Sequence, residues 1–254
     1  MSSISVLSPS ISIDVNDRHN STTEARSTVL ERLLQIGTLL SAERDLERLL
    51  TLILNESRAI TGSDGGSIYL VDRSTQPVTP IFKAAQNDSI PEFAIEKMVG
   101  LPLLSNSLVG YVAATGKTLN ITDAAAICND LGSLPYRVDR SFDRQFGYQT
   151  ISVLVLPMQN RSGETIGVLQ SINRKRDPSC ILTADNAREL TIPYTEWEER
   201  IVRAIASQAA VAIEREGLQQ SIEHLFDGFV KASVHAIEAR DPSTAGHSER
   251  VAVL

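Results

Sequence analysis

The hydrophobic period of the chain changes at one place, and that change constrains the fold more than any other feature. Leu30, Leu33, Gly37 and Leu40, then Leu46, Leu49, Leu50 and Ile53, recur at intervals of three and four, the spacing of one helix face. Two helices, or one bent helix, therefore run to about Ile60, with Ser41 as the expected cap of the second. Thr61–Gly66 stops them, because glycine supplies the left-handed exit that other residues resist. Immediately beyond, Ser67–Asp72 reads as a strand, and Val78–Ala85 as its hairpin partner across a polar loop holding Pro77.

Leu108–Ala114 reads as a short helix ending at Gly116, and Thr118–Ile121 as a short strand. Ile151–Met158 and Thr165–Ile172 are the strongest strands, joined by the tight turn Asn160–Gly163. A long helix begins near Glu196 and runs past Val230. Helix, strands, helix, strands, long helix is an α+β layout, one mostly antiparallel central sheet with helices packed on a face. The connection Asp123–Gly147 is too long and polar for a turn and suits a functional lid or an insert. Residues 1–22, rich in Ser, Asn and Asp without a period, read as a disordered leader.

Composition narrows the functions. A net charge of -7 argues against a broad phosphate-binding surface, so nucleic acid is not an expected partner, and Asn173–Arg176 is the only basic run. Two cysteines, Cys128 and Cys180, are too few for a disulfide framework or a Cys-rich metal site and fit a reducing, cytoplasmic setting. No apolar run approaches the roughly 18 to 20 residues that span a bilayer, and no signal peptide opens the chain, so no membrane partner is expected. Nucleophile elbow, Walker loop, zinc-protease and dinucleotide motifs do not occur. The glycines at 62 to 66 follow a helix and precede a strand, the reverse of a phosphate loop. His224 and His235 read as surface residues of the long helix.

Several segments, in order, resemble GAF domains. Gly65–Asp72 resembles their first core strand, Leu108–Lys117 their "GxVaxTGk" helix, and Leu119–Ala124 the "lNIpDa" segment. Phe146–Met158 resembles "tGyrtrSiLavPm" and Glu164–Asn173 resembles "geviGVlqliNk", so that the likeness covers roughly residues 28 to 217. It implies a GAF/PAS-like sheet with a small-ligand pocket over one face, under Asp123–Tyr148. By matching position the pocket residues are Tyr69, Phe82, Asn120, Asp123, Phe142, Thr150 and Ser152, and a cyclic nucleotide is one ligand of that kind. Many such domains bind nothing known and serve as dimerisation struts, so a ligand-free relay is the alternative.

The cyclic-nucleotide members carry Asn-Lys, a spacer, then Phe-x-x-x-Asp-Glu. Asn173 matches, Arg174 stands for Lys, Tyr194 for Phe, and Glu198 and Glu199 for Asp-Glu. The resemblance makes this set an internal strut rather than a ligand contact. Leu182–Asn186 mimics the same motif and leaves the helix start open. Lys83 stands after Phe82 where these members often have Asp, which weighs against cyclic GMP. Cys128 lies where phytochrome-like members attach a bilin, but Asn129 follows it instead of His, and a small packed residue is the expectation.

Val234–Ala252 resembles the opening of HD-GYP phosphodiesterase domains, "eaRDpYTxGHSxRVa", with Ser243 in place of Tyr. In that family His247 is a metal ligand, and a complete domain holds iron or manganese and hydrolyses cyclic di-GMP. One histidine cannot hold a catalytic metal, so this chain is expected not to be an enzyme and to need no cofactor, while its parent is. Leu218, Ile222, Leu225, Phe229, Ala232 and Ala236 step by 4, 3, 4, 3, 4, a coiled-coil seam. Val202, Ile205, Ala209 and Ala212 continue the spacing upstream, where the face is expected to pack on the domain's own sheet up to about Ile213, and Leu30, Leu33 and Leu40 are candidates to complete a four-helix stem. The expected organisation is a leader over 1–22, a GAF domain with N-terminal helices over 23–217, a signalling helix over 218–236, and the severed start of an output domain over 237–254. A parallel homodimer relaying a change in the pocket to that output is the expected assembly.

Overall fold

The computed structural model describes residues 31–72, 79–90, 104–127 and 134–240. The expected leader and His247 lie outside them, as does Cys128. The helical repeat upstream of the glycines forms two helices, α1 (31–42) and α2 (Leu46–Thr61). The cap of α2 is Asp45 rather than Ser41, since the Asp45 carboxylate accepts the Arg48 N–H at 3.0 Å. Ser41 donates instead to the Gly37 carbonyl at 2.8 Å, inside the last turn of α1. Gly62 ends α2 in the left-handed region at φ 67°.

The first strand starts sooner than expected. β1 covers Ser63–Asp72, so Gly65 and Gly66 lie inside it and only Gly62 serves the turn. A Cβ on Gly65 would lie 2.7 Å from Asn87 Nδ2, which makes close approach the reason for glycine there. The chain continues through β2 (Thr79–Asn87), α3 (Leu108–Thr115), β3 (Leu119–Ile121) and a 3-10 turn (Ala124–Ala126). Next come α4 (Ser141–Phe146), β4 (Val153–Gln159), β5 (Thr165–Lys175), α5 (Ala187–Leu190), β6 (Thr191–Ile192) and α6 (Glu196–Arg240). Strand order is β2-β1-β5-β4-β3, with β6 beside the end of β5, and every pair is antiparallel. This is the α+β layout that the periods imply.

Each sheet face has its own core. On one, Ile36 and Leu40 of α1, Leu49 and Ile53 of α2 and Val202 and Ile205 of α6 meet Ile68, Leu154 and Leu169. Each such aliphatic side chain stabilises the fold by roughly 1.5–3 kcal/mol when fully buried. On the other, Leu108, Val109 and Val112 of α3 cover Tyr69, Phe82, Val153 and Val168. A third cluster of Ile90, Tyr148 and Leu182 seats Phe142 and Phe146 of α4.

Up to about Ile213 the apolar face of α6 packs on its own domain as expected, whereas Leu40, a candidate for the stem, is buried there too and is corrected to a core residue. Val202, Ile205, Ala209 and Ala212 are buried in the same core. The buried face continues to Glu216, and Leu218 follows two residues later, about 200° around the helix. Leu218, Ile222, Leu225 and Phe229, between 61% and 74% exposed, therefore look away from the sheet that the upstream residues cover.

Near its end β5 makes a single departure from extended backbone. Among the described residues Asn173 alone, glycines aside, has a positive φ, 54°. Its Oδ1 accepts the Ile151 N–H at 2.7 Å, and its Nδ2 donates to Tyr148 Oη at 3.0 Å and to the Gln149 carbonyl at 2.8 Å. Asparagine suits both demands, because it tolerates the left-handed region and its amide replaces lost ladder partners. Asn173→Ala is expected to cost about 3 kcal/mol, leaving a buried N–H unpaired, and Asn173→Gly about 1 kcal/mol less because the φ penalty disappears. Urea unfolding of the two variants measures both numbers.

Candidate ligand site

A cavity of about 190 Å³ lies on the α3 face of the sheet. Ser67 and Tyr69 of β1, Phe82 of β2 and Gln170 of β5 form its floor, and Phe142, Asp143 and Thr150 come from the segment that crosses over it. Tyr69 faces Phe82 across the β1–β2 pair, the rings edge-to-face with centroids 5.2 Å apart. A register shift between Ile68 and Tyr69 leaves Lys83 unpaired with β1, and its side chain is exposed and does not line the cavity. The departure at Lys83 is thus not a departure in the wall.

Ser67 pairs with Gln170 in the β1–β5 register, which brings three polar groups together. Ser67 Oγ lies 3.1 Å from both Tyr69 Oη and Gln170 Oε1, and Tyr69 donates to Gln170 Oε1 at 3.3 Å. The Gln170 amide oxygen is engaged, while its NH2 has no protein partner among the described residues and is available to a ligand. Burial pushes the Tyr69 phenol up to about 12, so it stays a donor at neutral pH. At the start of α3, Ser107 caps the Gly110 N–H at 3.0 Å, and Leu108 and Val109 line the cavity.

The covering segment is held at both ends. Asp143 accepts the Thr150 N–H at 2.9 Å and the Thr150 hydroxyl at 2.8 Å, and burial raises its pKa above the usual carboxylate range. Two residues past Phe146, Tyr148 Oη donates to Asp64 Oδ2 at 2.7 Å. Asp64 is fully buried and also meets Lys175 Nζ at 3.1 Å and Ser89 Oγ at 2.7 Å. Lys175 reaches Asp88 as well, at 2.8 Å; burial alone would raise the Asp88 carboxyl, but Lys175 and Arg58 outweigh it and hold it below the usual range. Arg140 gathers the carbonyls of Ala125 and Ile127 at 2.6 and 2.9 Å, fixing the 3-10 turn.

Of the seven expected pocket residues, Tyr69, Phe82, Phe142 and Thr150 line the cavity, and Asn120, Asp123 and Ser152 do not. On β3 the pleat turns Leu119 and Ile121 inward and Asn120 outward, where it donates to Glu199 at 3.2 Å. Asp123 caps the 3-10 turn through the Ala126 N–H and pairs with Arg188 at 2.6 Å. Ser152 Oγ accepts the Arg174 N–H at 3.0 Å beside the Asn173 kink. Ser67, Asp143 and Gln170 were not singled out. The signal for two of them was polarity on the floor face of otherwise apolar strands.

The motif set lies elsewhere. Arg174 Nη2 sits 2.9 Å from Glu198 Oε1, joining the end of β5 to the start of α6. Glu198 also accepts the Thr195 N–H at 2.9 Å, a capping box that fixes where α6 begins; Leu182–Asn186 leads only into α5. Tyr194 Oη lies 2.7 Å from Ser63 Oγ, and Glu199 pairs with Arg203 at 2.6 Å, not with Arg174. With Arg174 and Lys175 both in ion pairs, the run Asn173–Arg176 is no basic surface patch. Among the described residues no group of His, Cys, Asp and Glu could hold a metal, and no helix is long and apolar enough to cross a membrane.

An antiparallel sheet with a roofed cavity on one face and helices on the other, the last of them long, is the architecture of the GAF fold. The GAF domain model matches residues 45–213, and the chain belongs to that family. A curated relative, dual 3',5'-cyclic-AMP and -GMP phosphodiesterase 11A of Takifugu rubripes, is 27% identical over 186 residues, 72% of this chain but only 18% of that protein. The GAF domain of a phosphoenolpyruvate-protein phosphotransferase from Coxiella burnetii has a TM-score of 0.55 at 19% identity, covering 76% of this chain and 96% of that one. The corresponding Acinetobacter domain gives 0.51 at 19% identity, covering 74% and 94%.

Burial raises the phenol of Tyr69, and those of Tyr148 and Tyr194 further still. A folded pKa above the unfolded value of about 10 means that stability is complete below it and is lost as pH rises. Titration at 295 nm should therefore show these phenolates only together with loss of ellipticity, from about pH 10 upward. Tyr69→Phe should move that transition to higher pH.

Proposed function

We propose that the chain is the sensing and relay region of a signalling protein, binding a small ligand over the sheet and passing its presence to an HD-GYP-type phosphodiesterase. The observation that carries this reading is the cavity itself, roofed and lined by fixed polar groups on an aromatic floor. Tyr69, Phe82 and Phe142 suit the faces of a purine, and the Gln170 NH2 suits an acceptor on its edge. The N–H groups of Leu108 and Val109 at the start of α3, which the helix does not satisfy internally, suit a phosphate. A cyclic nucleotide combines these features, and the Takifugu relative is named for cyclic AMP and cyclic GMP. At about 190 Å³ the cavity is smaller than the roughly 300 Å³ at which ligand pockets commonly begin. A purine bound there would extend into the open mouth of the cavity or displace the covering segment. The same small volume favours, as the second reading, a ligand-free relay.

The relay runs through α6, about 68 Å long at 1.5 Å per residue. Its exposed seam suits a second copy of the chain in parallel. The flanking heptad positions from Leu218 onward are Gln219, Ser221, Phe226, Gly228, Ser233 and His235, which set no like charges against each other in two identical helices. Glu223, Asp227 and Lys231 fall on the outer positions. The output is read from Val234–Ala252, whose family counterpart hydrolyses cyclic di-GMP with iron or manganese bound at His247 and ligands further along.

Calorimetry with cyclic AMP and cyclic GMP, backed by native mass spectrometry, tests the sensor reading. One of the two should bind, and Gln170→Ala should weaken it about tenfold while also lowering the unfolding midpoint, because Ser67 and Tyr69 lose their acceptor. Binding of neither, with an empty cavity in the native protein, selects the ligand-free relay.

A further inference from the structure

Helix α1 lies beside the part of α6 that precedes the stem. A Cβ on Gly37 would come within 2.9 Å of Gln208 Oε1, so the two helices are close there. At the end of α1 the Arg215 guanidinium donates to the Ser41 carbonyl and, at 2.9 Å, to the Glu43 carbonyl. The last carbonyls of a helix lack partners within it, and a cation beside them also meets the negative end of the helix dipole. Arg215 thus holds the end of α1 against α6.

The same residue has a second place to be. Counted back from Leu225, Ile222 and Leu218 by threes and fours, the next seam position is Arg215. In a parallel pair two copies of Arg215 would meet at a core position, where like charges repel and lose water. One guanidinium cannot both hold α1 and occupy the seam. Gln208 Oε1 and Glu216 Oε2, the first against Gly37 and the second next to Arg215 in the chain, are buried without a partner among the described residues. Buried acceptors left unpaired weaken a joint, as expected for an element with two positions.

We propose that Arg215 couples the docking of α1 to the closing of the dimeric stem. Held by the α1 carbonyls, it stays out of the seam, which then closes from Leu218 onward. Released, it returns to the seam and drives the two helices apart where the stem begins. Any force on α1 from the chain that precedes it thereby acts on the dimer. The inference rests on the dimeric stem proposed above.

Hydrogen exchange and sedimentation on the whole chain test it together. In the wild type, amides of 31–42 should exchange about tenfold more slowly above the dimer dissociation constant than below it, while those of α2 do not change. Arg215→Ala should abolish that dependence and speed exchange in α1. Arg215→Leu, which adds an apolar seam residue, should also tighten the dimer about tenfold. A dimer whose α1 exchange ignores concentration, or is the same in Arg215→Ala, overturns the coupling alone. A wild type that sediments as a monomer at tens of micromolar overturns the stem and the coupling with it.

Discussion

The left-handed turn of the backbone at Asn173 is the point on which both halves of the molecule depend. Before it, β5 is the central strand, paired to β1 and β4, and Gln170 and Ile172 look into the cavity. After it, Arg174 reaches α6 through Glu198, and Lys175 turns to the buried Asp64. The Asn173 amide meanwhile bonds Tyr148 and Gln149, at the far end of the segment that roofs the cavity. One residue therefore fixes the floor, the roof anchor and the origin of the long helix relative to each other. The two basic residues that follow it each meet a carboxylate, Arg174 half-buried at Glu198 and Lys175 buried at Asp64.

Much of the architecture was written in the chain's periods. Helices at threes and fours, strands by alternation and glycine exits at Gly62 and Gly116 all stand close to where the pattern puts them. What the pattern missed was tertiary. Ser41 resembles a helix cap, but Asp45, four residues on, offers a charged acceptor to the Arg48 N–H and takes the role. Gly65 and Gly66 look like a loop by composition alone, yet they sit in the strand that the likeness to GAF domains starts at Gly65, and a Cβ on Gly65 would lie 2.7 Å from Asn87 Nδ2.

The site was legible by halves. Tyr69, Phe82, Phe142 and Thr150, named through the likeness to GAF domains at matching positions, line the cavity. Asn120, named by the same likeness, lies outside the cavity because the pleat of its three-residue strand turns it outward. Asp123 and Ser152 are polar residues whose partners, Arg188 and the Arg174 N–H, are distant in sequence and invisible without the fold. Gln170 went unnoticed for the opposite reason. Its significance depends on facing Ser67 across a strand pair, a fact of register and not of composition.

The two apolar faces of α6 point in different directions along one uninterrupted helix, and the residues between Ile213 and Leu218 set the angle between them. That angle is a count rather than a contact. Inserting one residue there turns the stem by about 100° against the domain, whereas inserting seven returns it to within about 20° of its first orientation. The phase between sensor and stem is thus stored in the length of a short stretch of helix, and it can drift or be reset without touching the cavity or the seam. If α6 relays as proposed above, any output joined to it must keep that count.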